Sequence, residues 1–362
     1  MTGSPPPTTP APAPGPTGRG PDRGSTQRAV GVLIAVALLV LLLAIVIMVT
    51  RGAGGGPTPS GSPATSPTAA ATTSPSASGS ASASPTEPSP TAGASAAEVG
   101  VLVGAGDIGD CDTREDSMTA ALIDGIEGTV FTAGDNAYEN GSAEEFATCY
   151  DDTWGRHKAR TRPVPGNHDW HTSDLAGYFG YFGDAARGPD GDSWYSFDIG
   201  SWHVLMLDSE CDKNTGCEAD SPQGRWLAAD LAASDAQCTA AIWHKPRFSS
   251  GEHGNDRSVA PFWSALYPAG VDVVINGHDH DYERFAPQDP DGDEDRERGI
   301  RQFVVGTGGT PLRRFSDVVA NSELRAAVTH GVFKLTLREG AYDWEFIPVS
   351  GDFSDRGTAF CH

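Results

Sequence analysis

Five times between residues 101 and 284 a short apolar run breaks off at a cluster of carboxylate, amide or imidazole residues, and this recurrence constrains the fold more than any other feature. The clusters are Gly106-Asp107-Ile108-Gly109, Gly134-Asp135-Asn136-Ala137-Tyr138, Gly166-Asn167-His168-Asp169, Trp243-His244-Lys245-Pro246 and Gly277-His278-Asp279-His280. The runs before them, 99–105, 129–133, 162–165, 240–243 and 271–275, have the length and residue types of buried strands, as do 203–207 and 302–305. Helical spacing separates them at 115–126, 222–233 and 260–267, and a later stretch, 332–337 and 342–348, is antiparallel in character. Strands alternating with helices specify an α/β domain with packed sheets. In such sheets ligands gather beyond the carboxyl ends of strands, so the five clusters are expected to converge. Their glycines allow the tight turns that aim neighbouring side chains at one centre.

The domain that carries them begins near residue 98. Before it the chain is dominated by Pro, Ser, Thr, Ala and Gly, a composition that cannot bury a core, so 1–28 is read as a disordered tail and 50–97 as a disordered tether. Of the 25 Lys/Arg and 48 Asp/Glu residues, only four basic and two acidic ones precede Glu98. A domain this acidic repels polyphosphate backbones, which argues against a nucleic-acid partner and for a small substrate drawn in by bound cations.

Residues 29–49 form an uncharged apolar run long enough to cross a bilayer, and it is read as a transmembrane helix. Its length and the Ile47-Met48-Val49-Thr50-Arg51 sequence at its end disfavour a cleaved signal peptide. Arg19, Arg23 and Arg28 precede it, and after Arg51 no basic residue appears until Arg114, which leaves the N-terminus cytoplasmic and the 98–362 domain outside. All six cysteines follow the span, an even count in an oxidising compartment, and disulfides are expected. Cys211 and Cys217 bracket a short turn and can close locally; Cys111–Cys149 with Cys238–Cys361 is one way to pair the others.

Counted as ligands, Asp107, Asp135, Tyr138, Asn167, His244, His278 and His280 offer three anionic oxygens, one amide oxygen and three imidazoles. One cation cannot use them all. Two metals about 3.5–4 Å apart, sharing a carboxylate, can. A phenol with a pKa near 10 must lose its proton to bind, so Tyr138 calls for a strongly acidic cation such as Fe(III), with a divalent ion (Zn, Fe or Mn) beside it.

The ordered set GDxG, GDxxY, GNHD, a strand-terminal His and GHxH resembles the purple acid phosphatase branch of the calcineurin-like metallophosphoesterases. The resemblance implies a four-layer α-β-β-α sandwich, with Asp107, Tyr138 and His280 on the ferric ion, Asn167, His244 and His278 on the divalent ion, and Asp135 bridging. It makes His168 the acid that contacts the phosphate and assists the leaving group, and His253 a substrate-contacting residue on a variable loop. Asp281-Tyr282-Glu283-Arg284 and Gln223 with Trp226-Leu227 are further likenesses. The N-terminal β-sandwich domain of the large plant enzymes has no counterpart here. The implied activity is hydrolysis of phosphate esters, monoesters in the acid phosphatase manner, by a metal-activated hydroxide at a dinuclear centre. The alternatives are a phosphodiesterase or nucleotide hydrolase on the same site, or an inactive surface binding module, which the complete ligand set disfavours. Asp169, Asp279 and Asp281 are open between orienting ligand imidazoles and forming salt bridges or solvated groups. The acidic stretch 289–295 lacks the full twelve-residue calcium-loop pattern and reads as a solvated hairpin tip, and Asn140-Gly141-Ser142 fits a glycosylation sequon.

Overall fold

A computed structural model describes residues 96–362. The expected span at 29–49, the tail before it and the tether after it as far as residue 95 lie outside the described residues, among which no helix is long and apolar enough to cross a membrane. Among the described residues thirteen strands form two sheets. The first holds β1 (Glu98–Ala105), β2 (Thr129–Ala133), β3 (Thr161–Val164), β11 (Gly331–Arg338), β12 (Ala341–Pro348) and β13 (Asp355–Phe360), in the order β13-β12-β11-β1-β2-β3. The second holds β4 (Tyr195–Ile199), β5 (Trp202–Met206), β6 (Cys238–Ile242), β7 (Val273–Asn276), β8 (Tyr282–Phe285), β9 (Arg301–Val305) and β10 (Ser322–Ala326), in the order β10-β8-β9-β7-β6-β5-β4.

Alternation along each strand builds the layers. Leu102, Phe131, Val204, Met206, Ile242, Val273, Ile275, Phe303, Phe333 and Leu335 belong to the buried cluster between the sheets. Their neighbours point the other way. Val103, Ala105 and Val130 pack on Ala120 and Ile123 of α1 (Glu115–Ile123) and on Tyr178 and Phe182 of α2 (Ala176–Phe182). Leu205, Leu207, Ala241 and Val274 pack on Leu227 of α3 (Pro222–Ala233) and on Phe262, Trp263 and Leu266 of α4 (Ala260–Leu266). With both faces covered, the central parallel strands are buried at nearly every position and largely apolar, the pattern of parallel strands packed on both sides. The result is the four-layer α-β-β-α sandwich. Pro163, which cannot donate to a ladder, sits on β3 at the edge.

The parallel pairs β1–β2–β3 and β5–β6–β7–β9 run side by side, so their carboxyl ends open at one rim of each sheet. Gln223 of α3 fixes one of those ends: its Oε1 accepts from Asp208 N–H at 2.8 Å and its Nε2 donates to Asp208 O at 2.9 Å. Three disulfides, Cys111–Cys149, Cys211–Cys217 and Cys238–Cys361, use all six cysteines. The stretch 289–295 is a hairpin tip, with Gln288 bridged to Glu294 and Ile300.

Candidate metal centre

The loops after β1, β2, β3, β6 and β7 continue to hydrogen-bond one another past the ends of their strands. Asp107, Ile108 and Gly109 donate to the carbonyls of Gly134, Asp135 and Asn136, each at 3.0 Å, and Gly277 donates to His244 O at 3.0 Å. Three of the residues in these turns, Asp107 (φ 61°), Asp135 (φ 49°) and His278 (φ 72°), take left-handed backbone that non-glycine residues seldom adopt, a strain that the surrounding hydrogen bonds hold. Gly166 shows why the turns need glycine, since a Cβ there would lie 2.2 Å from Asp135 Oδ1.

Two lobes of donor atoms meet at Asp135. In the first, Tyr138 Oη lies 2.9 Å from Asp107 Oδ1, 3.0 Å from Asp135 Oδ2 and 3.4 Å from His280 Nε2. In the second, His244 Nε2 lies 3.2 Å from Asp135 Oδ2, 3.1 Å from Asn167 Oδ1 and 3.2 Å from His278 Nδ1. The seven side chains singled out from the sequence are thus within reach of one another, with Asp107, Tyr138 and His280 on one side of Asp135 and Asn167, His244 and His278 on the other. Backbone carbonyls fix two of the rings, because a carbonyl only accepts: His244 Nδ1–H donates to Ala133 O at 2.8 Å and His280 Nδ1–H to Pro311 O at 3.0 Å. Each ring is left with Nε2 facing the centre.

The electrostatics call for positive charge at this point. Burial resists charge on His244, yet Asp135, with Asp107 and Glu210 behind it, raises its pKa to about 10. Burial likewise resists charge on Asp135, but His244 and His168 hold its carboxyl well below the usual range. Burial together with Asp107 and Asp135 pushes the Tyr138 phenol well above its ordinary value, and burial, His244 and His253 depress His278. Carboxylate, phenol and imidazole donors thus crowd one buried point, and cations would satisfy the same atoms. The donor set fits two metal ions.

His168 lies at the mouth. Its Nδ1–H donates to Glu139 O at 2.7 Å, its Nε2 faces Asp135 Oδ2 at 3.9 Å, and its ring packs on Tyr138 at 4.4 Å. His253 packs on His278 with ring centroids 4.2 Å apart and gives Nδ1–H to Asp279 Oδ1 at 3.0 Å. Asp279 thereby orients His253. Asp169, left open by the sequence, accepts from Gly166 N–H, Asn136 N–H and Asn136 Nδ2, so it ties the β2 and β3 loops together; burial and then Asp135 raise its pKa to about 7. Asp281 is fully buried and neither carboxyl oxygen finds a partner among the described residues; burial, then Asp279 and Glu283, keep it protonated well above the usual range.

Sequence reasoning overlooked a sixth loop and a second imidazole. After β9, Gly306-Thr307-Gly308-Gly309-Thr310 runs under the centre: Gly308 N–H donates to Gly106 O at 2.9 Å, and Thr310 N–H to Asp107 O at 3.1 Å.

 Where this loop leaves the strand, Val305 O accepts from Gly106 N–H at 3.0 Å. A Cβ on Gly306 would lie 2.1 Å from Asp279 O and 2.7 Å from Asp107 Oδ2, so only glycine fits. The signal was present in the sequence as a strand followed by Gly-Thr-Gly-Gly, but the cluster holds no carboxylate or imidazole. His171, whose Nδ1–H donates to Glu139 O at 3.0 Å beside His168, had no signal. The mouth is a cavity of about 270 Å³ lined by Asp110, Tyr138, Glu139, His168, His280 and the 310–313 segment. A cavity of about 550 Å³ near His203 lies at the amino ends of β5 and β6, away from every motif loop.

Residues 102–282 match the family model described as calcineurin-like phosphoesterase. Purple acid phosphatase 22 of Arabidopsis thaliana is 41% identical over 98 residues, 25% of this chain and 22% of that protein. Acid phosphatase A of Cryphonectria parasitica is 28% identical over 198 residues, 46% of this chain and 38% of that protein. The matched segments thus span well under half the length of these curated relatives. Among solved structures, purple acid phosphatase PPD1 from yellow lupin superposes with a TM-score of 0.56 at 19% identity, over 72% of this chain and 53% of that one. GAP50, the anchor in the inner membrane complex of Plasmodium, superposes with a TM-score of 0.55 at 15% identity, over 72% and 89%. At these identities the two structures share the fold with this chain.

Proposed function

This chain belongs to the calcineurin-like phosphoesterase family, and from that premise we propose that it hydrolyses phosphate esters, monoesters foremost, at a centre of two cations. The observation that carries the reading is the meeting of two donor lobes at Asp135. Asp107, Tyr138 and His280 would hold an Fe(III) ion, Asn167, His244 and His278 a divalent one, and Asp135 both. When bound, such ions supply Lewis acidity toward the phosphoryl oxygens and toward a water molecule. The chain's own residues do the rest. The carbonyls of Ala133 and Pro311 keep His244 and His280 turned inward. His168, with Nδ1 committed to Glu139 O, has Nε2 available to protonate the leaving oxygen.

Turnover of an aryl phosphate and of an aryl phosphodiester across pH, with metal analysis of the same sample, tests the proposal. Faster monoester turnover with an acid optimum is the expected result; a sample with two ions per chain that turns over neither ester overturns it. The same reading keeps residues 29–49 as a membrane anchor with the catalytic domain on the extracytoplasmic side. The three disulfides support that placement, since oxidised pairs persist outside the cytosol.

A further inference from the structure

The sixth loop ends in a cation at the mouth. Arg313 shares the mouth cavity with Tyr138, His168 and His280, and its own N–H donates to His280 O at 3.0 Å, which ties its backbone to the centre. Its Nη1–H donates to His253 Nε2 at 2.9 Å. His253 in turn gives Nδ1–H to Asp279 Oδ1 at 3.0 Å, and its N–H donates to the same oxygen at 2.8 Å. Both ring nitrogens of His253 are therefore engaged, one by a carboxylate and one by a guanidinium. The imidazole has no free donor to offer an anion. Arg313 keeps several: a guanidinium has five N–H groups in a planar fork, and only one of them is spent on His253. Its nearest acid, Glu252 at 3.9 Å, lies at the exposed surface, where such a pair holds a side chain only weakly.

We propose that Arg313 is the residue that grips a non-bridging phosphoryl oxygen of the substrate, and that Asp279 and His253 are positioning residues that hold its guanidinium at the mouth. The substrate contact that the resemblance implies for His253 thus passes to Arg313. The inference rests on the phosphate-ester reading of the site. Its chemistry is that of the charge-assisted fork: a planar donor set matches two oxygens of a phosphoryl group, and near a buried site such bonds are the strong ones.

The experiment is a double-mutant cycle on the metal-loaded full-length chain, with Arg313→Ala, His253→Ala and the pair, read by the dissociation constant of inorganic phosphate and by KM and kcat for p-nitrophenyl phosphate. Loss of a hydrogen bond to a charged group corresponds to roughly a tenfold or greater weakening, so Arg313→Ala is expected to raise the phosphate dissociation constant and KM at least about tenfold while kcat changes less. Arg313→Lys is expected to recover part of the loss. His253→Ala should weaken phosphate binding in the wild-type background and add nothing further once Arg313 is gone. Equal effects of His253→Ala in both backgrounds, or phosphate binding unchanged in Arg313→Ala, overturn the proposal. The two readings fail separately: a wild-type protein that binds phosphate through Arg313 without turning over esters defeats the hydrolase assignment alone.

Discussion

Tyr138 is the residue on which the kind of metal turns. Its hydroxyl sits between two carboxylate oxygens, at 2.9 and 3.0 Å, and burial with those charges opposes its ionisation. Only a strongly acidic cation replaces that proton. With the proposed Fe(III) bound, Tyr138→Phe is expected to abolish a visible tyrosinate-to-iron absorption while leaving the fold intact, as absorption spectra and circular dichroism of the purified chain will show. An absent iron signal together with undiminished activity in the variant would assign the site to divalent ions alone. His168 makes a different prediction. If its Nε2 protonates the leaving oxygen, His168→Ala lowers kcat by roughly 10²–10⁴-fold with little change in KM, and the deficit shrinks for esters whose leaving groups need no proton. Steady-state kinetics over a series of aryl phosphates read both effects.

At the scale of the element, the strand ends that carry chemistry were legible because each joins two independent signals, an apolar run and a polar turn. Elements with only one signal were missed. β8 follows His280 so closely that Asp281-Tyr282-Glu283-Arg284 reads as part of the turn, although Tyr282 is fully buried between the sheets. β4, β10 and β13 lie at or near sheet edges and mix exposed with covered positions, so their sequences show no continuous apolar run. α2 is glycine-rich and short, and its hold comes from Tyr178 and Phe182 in the aromatic cluster rather than from helix propensity. The β4–β5 hairpin is joined to α3 by His203, whose Nδ1 and Nε2 meet Asp198 Oδ1 at 2.8 Å and Asp230 Oδ2 at 2.7 Å. The bond to Asp230 raises the pKa of His203 above the ordinary value, against the pull of burial and with help from Asp198. A raised folded-state value means that the stabilisation is fully present below the unfolded-state pKa of about 6.5 and fades as pH rises through the folded-state value. Thermal denaturation of wild type and His203→Gln is expected to diverge most at acid pH and to converge as the medium becomes alkaline; a constant gap across pH would remove the charge from this account.

For the whole molecule, the two sheets are joined covalently as well as by packing. Cys238 begins β6 in the second sheet and Cys361 follows β13 in the first, so their disulfide closes a loop with a sequence separation of 123, against 6 for Cys211–Cys217. Loop-closure entropy gives about 5 kcal/mol for the longer and about 2 kcal/mol for the shorter. Replacing Cys238 and Cys361 by Ser is expected to lower the denaturation midpoint more than replacing Cys211 and Cys217, as urea titrations of the two double variants will test. The sheet order that makes this bridge possible also bears on how the chain comes to be folded. β1 has β2 as one neighbour, soon after it in sequence, but its other neighbour is β11, at Gly331–Arg338. At roughly 5–20 residues per second, a growing chain leaves that side of β1 without its partner for tens of seconds. The strand that leads into the first metal-site loop is thus an open edge for most of biosynthesis, and the nascent domain needs protection from strand exchange with its own copies until its later strands arrive.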